Sequence, residues 1–516
     1  MEENKISKGK EILAILLLTM VIGTGTIAWI VWSSKDNTKM NVTIGDLADV
    51  SFKSGNDINI SNLSPSFYYD DGALTEFSIR KKKGLTTELN TNIYLDITSI
   101  SDELKNDNFK YVLLSSSDGN TYNEVISSSF KDASIGKLSI VTDSPLTDGK
   151  TYYKFYIWID GNNENNETMQ GKSLKGTLNV EVLTPPVNAV TLVEGLDKGE
   201  TGDSGSGVYK VTHSAIPASS SATGSEIPAV TDYRYYGASP NNYICLDMEG
   251  QSTCPDKHLY RIIGSIYEEL ENTNRIKVIK ATPLTDGTTS AFRWDYKVNN
   301  GNGSYDNIWA TITSGNYSNS LTSGSQLMKL LNSGLWWNGT SGSYYNNSTT
   351  ATSVNFTNYK LSDKAKSYIT TSRYYLGGYK NQTPLTNEMY GYERGIKRYN
   401  TDRPLYWEGM VGLMYPSDYG YAAGNTCVTG TKLWDYSGGC MNKDWLHISN
   451  TDQWLMLPYS GNSVLVFRTS SSGFVHNYGD GSISYNVRSA RPVFFLSSSA
   501  SISEGEGTSA APYILS

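Results

Sequence analysis

The sequence predicts a multidomain chain in three parts: an apolar helix near the N-terminus, an all-β sandwich, and a larger α+β region towards the C-terminus. Three observations carry that expectation. The 516 residues exceed what one hydrophobic core serves, since cores stop growing at roughly 250–300 residues. An uncharged apolar stretch at residues 12–32 is followed, up to residue 183, by short runs in which apolar and polar residues alternate, the period of half-buried strands. Beyond residue 232 the texture changes, and most of the tryptophans and all four cysteines lie there. With 38% hydrophobic and 18% charged residues, the composition is that of a folded chain and not of a disordered one.

Residues 12–32, ILAILLLTMVIGTGTIAWIVW, hold about 21 residues without a charge, enough at about 1.5 Å per residue to cross the hydrocarbon of a bilayer. The stretch closes on Ala28-Trp29-Ile30-Val31-Trp32, where a cleaved signal would end in small residues, and tryptophan suits a membrane interface. One uncleaved transmembrane anchor is expected, with residues 1–11 as a cytoplasmic tail carrying Lys5, Lys8 and Lys10. The remainder would then lie outside the cell membrane. Cys245, Cys254, Cys427 and Cys440 fall into two close pairs, as for short-loop disulfides in an oxidising compartment, with free thiols as the alternative. Zinc spacings such as C-x2-C are missing, so neither a metal nor another cofactor is expected. A net charge of -8 argues against nucleic acid as a partner, because that binding is dominated by phosphate neutralisation.

From residue 41 to 183 the runs TEFSIRKKK, NIYLDITSI, KYVLLS, KLSIVT, YYKFYIWID and GTLNVEVL alternate with period two between Gly, Asp, Asn and Ser turns. In YYKFYIWID, Phe155, Ile157 and Ile159 can face a core while Lys154, Tyr156 and Trp158 face outwards. Regular short strands without a helix predict an immunoglobulin-like sandwich, a stalk with no chemistry of its own. Residues 184–232 open with Pro185-Pro186 and continue through Gly, Ser, Thr and Ala, the composition of a flexible linker. Within it, GDSGSG at 202–207 resembles a serine-protease nucleophile loop, but no histidine precedes it.

In residues 233–516, SQLMKLLN places Leu327, Leu330 and Leu331 on one helical face, and LSDKAKSYIT offers Ser362 as an N-cap. RIKVIKA, VGLMYP, SVLVFRT and RPVFFL read as strands. Catalytic signatures are scarce. The four histidines, His213, His258, His447 and His476, match no H-E-x-x-H pattern, and no phosphate loop or dinucleotide fingerprint occurs. Asp435 and Asp444 could be invoked as a glycosidase pair, yet sequence does not fix their separation. DGNNENNE at 160–167 lacks the sixth-position Gly and twelfth-position Glu of a calcium loop and reads as a polar turn. What remains are the turn-rich segments around residues 459–486, which display Tyr459, Asn462, His476, Asn477, Tyr478, Asp480, Tyr485 and Asn486. Tyrosines with small amide and hydroxyl residues are the material of adaptable binding loops, although the same composition also describes a plain hydrophilic loop.

The ordered set NNYICLD, LYRIIG, YLGGY, ERG, GLMYPSDYGYA, NKDWL, QWLMLPYS and RSARPVFFL spans residues 233–516. It resembles uncharacterised surface proteins of gut Firmicutes and related bacteria, whose ends carry a W-L-x-S segment and then V-R-P-V-x-x-L. That ending is similar in fold to the C-type-lectin-like formylglycine-generating enzymes and retroelement-diversified variable proteins. The resemblance implies a C-type-lectin-like terminal domain with an exposed ligand face. Met456 and Leu457 depart from the usual Arg-Ser, and no E-P-N, Q-P-D or W-N-D motif supports calcium-dependent sugar binding. Arg488 and Arg491, set before the apolar run at 493–496, are expected to cap that strand with their stems on Trp454 and their heads on carbonyls or a carboxylate. The function expected is a non-enzymatic, adhesin-like surface protein whose terminal domain binds an extracellular protein or glycan. A cell-envelope enzyme acting on peptidoglycan or glycans, or a structural pilus-like subunit, is the alternative.

Overall fold

The computed structural model describes residues 40–44, 47–83, 88–162, 166–295, 309, 312–313, 316–317, 324–345, 351–396, 404–462, 464–477, 479 and 486–516. The expected tail and membrane span, residues 1–32, lie outside them, as do Tyr478, Asp480 and Tyr485. The chain divides into two compact units, Met1–Pro185 and Pro186–Ser516.

The first unit is built from two antiparallel-rich sheets. One holds Met40–Ile44, Ala48–Phe52, Ala73–Lys81, Lys150–Asp160, Phe109–Ser116 and Asn123–Ser129 in that order, with Pro65–Ser66 parallel to Lys150–Asp160. The other holds Asp57–Ile60, Leu174–Leu183, Asn90–Ile100 and Gly136–Pro145. Phe77, Ile79, Phe155, Ile157 and Ile159 from the first meet Ile93, Leu95, Ile97 and Leu178 from the second in one apolar core. Tyr156 and Trp158, expected to face solvent, take the opposite face yet are buried in a second cluster with Val112 and Leu114. Tyr69, from the segment after Pro65–Ser66, closes over them at 5.3 and 6.1 Å between ring centroids. Aromatic area on an outer sheet face gains from any segment that removes it from water.

The fold class expected from the sequence requires correction. Among the described residues strand outweighs helix, 39% to 15%, and no helix among them is long and apolar enough to cross a membrane. The second unit is organised on a nine-stranded sheet. Its continuous order runs Val187–Asn188, Ser501–Glu504, Tyr513–Leu515, Tyr243–Cys245, Leu259–Glu268, Val230–Tyr236, Gly207–His213. Thr273–Lys280 joins Leu259–Glu268 to Val493–Phe495. The longest helix among the described residues is Thr386–Glu393, because apolar residues here come in twos and threes between Gly, Ser and Asn turns and sustain no 3.6-residue stripe. The two helices read from sequence begin at Gln326 and Asp363, with Ser325 and Ser362 accepting from the backbone N–H groups of Met328 and Ala365. VGLMYP forms no strand. It makes a single bridge, Gly412 to Val493, before a helix starts at Pro416.

The expected linker is also corrected. Ala189–Gly195 is a helix capped by the Asn188 side chain, with Ala189 and Val193 buried. Gly207–His213 pairs antiparallel with Val230–Tyr236, and Ile216 bridges Ile227. Composition misled because Val208, Tyr209, Ile216 and Ile227 are sparse along the sequence but each is buried. The larger neighbouring core supplies the apolar surface that the segment itself lacks. In the decoy GDSGSG, Asp203 accepts from the hydroxyls of Thr201 and Thr426, and the Gly202 carbonyl accepts from Asn425 N–H.

Candidate ligand-binding cleft

The second unit buries charge in its sheet. Asp232 and Arg234 alternate with Tyr233 along Val230–Tyr236 and point inward, as Arg275 and Lys277 do on Thr273–Lys280. Arg234 donates through Nε and Nη2 to Asp232 Oδ2 at 3.1 and 2.7 Å, and through Nη1 to Asp418 Oδ1 at 3.0 Å. Lys277 Nζ donates to Asp418 Oδ2 at 2.5 Å. Asp418 lies in the first turn of the helix Pro416–Ala422, where it also accepts the Tyr415 N–H, a position that favours a carboxylate. His213 lies 2.9 Å from Asp232 Oδ2 and stacks on Tyr390 at 3.6 Å. Asp232, Arg234, Lys277 and Asp418 are each no more than 2% exposed, so every member depends on the others to offset its lost hydration.

The electrostatics follow from that arrangement. Burial works to raise the Asp418 carboxyl, but Lys277 and Arg234 beside it hold it below its ordinary value. Asp232 is depressed in the same way by Arg234 and His213, against burial. Burial pulls His213 and Lys277 down despite their carboxylate partners. Glu393 goes the other way. It is fully buried, and burial pushes its carboxyl up to about 7, against the nearby Arg394 and the hydrogen bonds from Ser417 N and Oγ at 2.8 and 2.5 Å.

Over this floor opens a small cleft walled by Tyr267, Tyr375, Tyr390 and Tyr415, with Arg373, Arg394, Glu268 and Glu269 around it. The Arg394 guanidinium lies 3.4 Å over the Tyr390 ring and donates to the Tyr390 carbonyl at 3.2 Å. Arg373 pairs with Glu408 at 2.7 Å and Glu269 at 3.3 Å, and its side chain remains 21% exposed. The close crossing of 376–378 over the end of Thr386–Glu393 needs glycine at 377, where a Cβ would strike the carbonyls of Tyr392 and Glu393. Chemically the cleft offers rigid rings, phenol hydroxyls and guanidinium edges. Lys277, Arg373 and Arg394 are each committed to carboxylates or carbonyls.

The residues expected at the ligand face are placed differently. Tyr459 donates through its hydroxyl to the Lys380 carbonyl at 2.5 Å, and the Asn477 amide donates to the Asn381 carbonyl at 2.5 Å. Both therefore anchor the segment 379–381, and Asn477 is fully buried. His476 is half-buried against Trp434 at 4.6 Å between centroids, Asn462 is exposed and caps Val464 N–H at 2.9 Å, and Asn486 is half-buried. None of these lines the Tyr/Arg cleft. The arginines before the closing strand separate. Arg491 is buried, with Nε on Gln453 Oε1 at 2.7 Å and Nη2 on the Leu446 carbonyl at 2.5 Å. Arg488 pairs with Asp452 at 3.2 Å and sits 6.0 Å from the Trp454 ring, whose N–H donates to the Phe292 carbonyl. Of the acid and base candidates, Asp435 is exposed, while Asp444 is buried, its carboxyl raised by burial although it accepts from Leu446 N–H and the Tyr436 hydroxyl. His447 meets the Tyr419 hydroxyl at 3.2 Å.

Disulfides join Cys245 to Cys254 and Cys427 to Cys440, and no other cysteines occur. The floor of the cleft escaped sequence reading because charges at period two look like the solvent face of a strand. The available signal was their complementarity: Asp232 and Arg234 in one strand, Arg275 and Lys277 in another, within apolar runs. No family model matches this chain, and no curated protein does.

Proposed function

We propose that this chain is an extracytoplasmic binding protein that uses its second unit, adhesin-like and without catalysis, to hold an extracellular ligand, protein or glycan. Two disulfides fit an oxidising compartment outside the cytoplasm. The observation that carries the reading is the cleft of tyrosines and arginines set on a floor of paired buried charges. Tyr and Arg dominate recognition hot spots because they combine large contact area with fixed polar geometry. The floor pre-organises them, which lowers the ordering cost of association.

The test is an array of secreted proteins and glycans probed with the full chain, followed by Tyr267→Ala and Arg373→Ala variants against any ligand found. Loss of about 2 kcal/mol or more of binding free energy in each is expected for residues at a recognition centre, with Asn462→Ala unchanged. Ligand binding that both variants leave intact, or turnover of peptidoglycan or polysaccharide by the wild-type chain, overturns the reading.

A further inference from the structure

A second constellation lies away from the cleft. The loop closed by Cys245 and Cys254 carries Asp247 and Glu249, and the 3-10 turn Asp256–His258 that follows brings His258 against them. One donor atom from each of the three lies within 4.8 Å of the others. His258 is fully buried, with Nε2 3.1 Å from Glu249 Oε1 and Nδ1 buried without a hydrogen-bond partner. Asp247 accepts the Ser362 hydroxyl through Oδ2 and the Glu249 N–H through Oδ1 at 3.0 Å. Among the described residues Lys257 pairs with this group, 2.8 Å from Glu249 Oε1 and on a side chain 23% exposed, and Lys364 acts on Asp247 from a greater distance.

We propose that Asp247, Glu249 and His258 form a site for a divalent transition-metal ion, zinc by its donor set. One imidazole and two carboxylates suit zinc, with water completing the tetrahedron. Calcium, which wants six to eight oxygens, is poorly served by a set with an imidazole in it. A compact dication takes all three donors together, whereas Lys257 reaches only the Glu249 carboxylate, through a flexible, partly exposed stem whose pairing is worth little. Zinc and the Lys257 ammonium therefore compete for Glu249. Because Asp247 also holds Ser362, the N-cap of the helix Asp363–Ser367, the ion fastens the disulfide loop to that helix. The metal spacings sought in the sequence were cysteine spacings, and this donor set contains none.

Calorimetric titration of the chelator-treated full chain with zinc chloride, and separately with calcium chloride, tests the site. One saturable zinc site is expected in the wild type. Asp247→Asn and Glu249→Gln, near-isosteric changes that keep the loop packed, each lower the affinity at least tenfold, and Lys257→Ala leaves it equal or tighter. Zinc also raises the melting temperature of the wild type and not of Glu249→Gln. The proposal fails if the wild type shows no saturable zinc binding, if the two carboxamide variants bind as well as wild type, or if calcium is taken in preference to zinc.

Discussion

The two units solve the same problem, a stable β fold, with different materials. In the first, apolar residues fill the interior and most ion pairs are open to water, as in Lys53–Glu76, with side chains 65% and 27% exposed, and the still more open Lys131–Asp107, while Lys110–Asp160 is the more covered exception, with its Asp side chain 10% exposed. In the second, Arg234 and Lys277 share Asp418, and Arg275 meets Glu268, with every one of these side chains at 2% exposure or less. The difference teaches that the pattern of apolar residues suffices to specify the first unit. The second adds a charge code in which register errors would strand a buried ion. Surface pairs contribute little, whereas removing one partner of a buried pair leaves an uncompensated charge.

That contrast can be broken most sharply at Asp418. Asp418→Asn should destabilise the second unit by about 3–5 kcal/mol, measured by denaturant unfolding of the full chain, while Lys53→Ala leaves the unfolding of the first unit unchanged. Equal effects would erase the distinction. Next in size are the covalent braces, which only the second unit possesses. Removing Cys427–Cys440 by paired alanines should cost about 2–4 kcal/mol, and removing Cys245–Cys254, which closes a shorter loop, slightly less. The midpoint of urea unfolding before and after substitution reads this directly.

Arg491→Ala tests whether single buried cations outside the Asp418 network matter as much. Burial draws this guanidinium down to about 9, and its heads hold Gln453 and the Leu446 carbonyl. A loss of about 1.5–3 kcal/mol is expected for hydrogen bonds of a charged group, read as a lower melting temperature, with Arg488→Ala costing less because its Asp452 pair is part-exposed. The smallest effect is a slope. The Glu393 carboxyl, raised from 4.5 to about 7 in the folded chain, binds its proton more tightly there than in the unfolded chain. Between these two values the folded state holds the extra proton, so stability falls as pH rises, by up to about 1.4 kcal/mol per pH unit. Glu393→Gln should flatten the pH dependence of unfolding across that window. A slope equal to that of the wild type would show that Glu393 does not carry the proton.

The first unit was largely legible. The runs that contain Phe155, Ile157 and Ile159, or Leu95 and Ile97, form strands because alternation with period two is a local property that survives any tertiary context. Met40–Ile44, Ala48–Phe52, Asp57–Ile60, Pro65–Ser66 and Asn123–Ser129 lie outside the runs legible as strands, the last because its Ser-rich edge carries almost no apolar signal. In the second unit, the cysteine pairs, the helical face of Leu327, Leu330 and Leu331 and the serine cap at 362 could be read from short-range spacing. The cleft could not. Tyr267, Arg373, Arg394 and Tyr415 lie far apart in sequence and meet only because two strands and two helix ends converge. Conversely Tyr459 and Asn477, chosen as binding residues for their chemistry, spend their hydrogen bonds on the 379–381 backbone.

By itself, then, the sequence determined the strand-rich character of residues 41–183, the pairing of neighbouring cysteines and the starts of two helices, since each depends on residues within a few positions of one another. Tertiary structure alone decided that residues 184–232 join the sheet, that Asp232, Arg234, Lys277 and Asp418 are interior, and which tyrosines reach a cleft. The physical reason is that burial of a charge or of a sparse apolar residue becomes favourable only when a distant partner supplies its counter-charge or its apolar cover, and no local pattern encodes that partner.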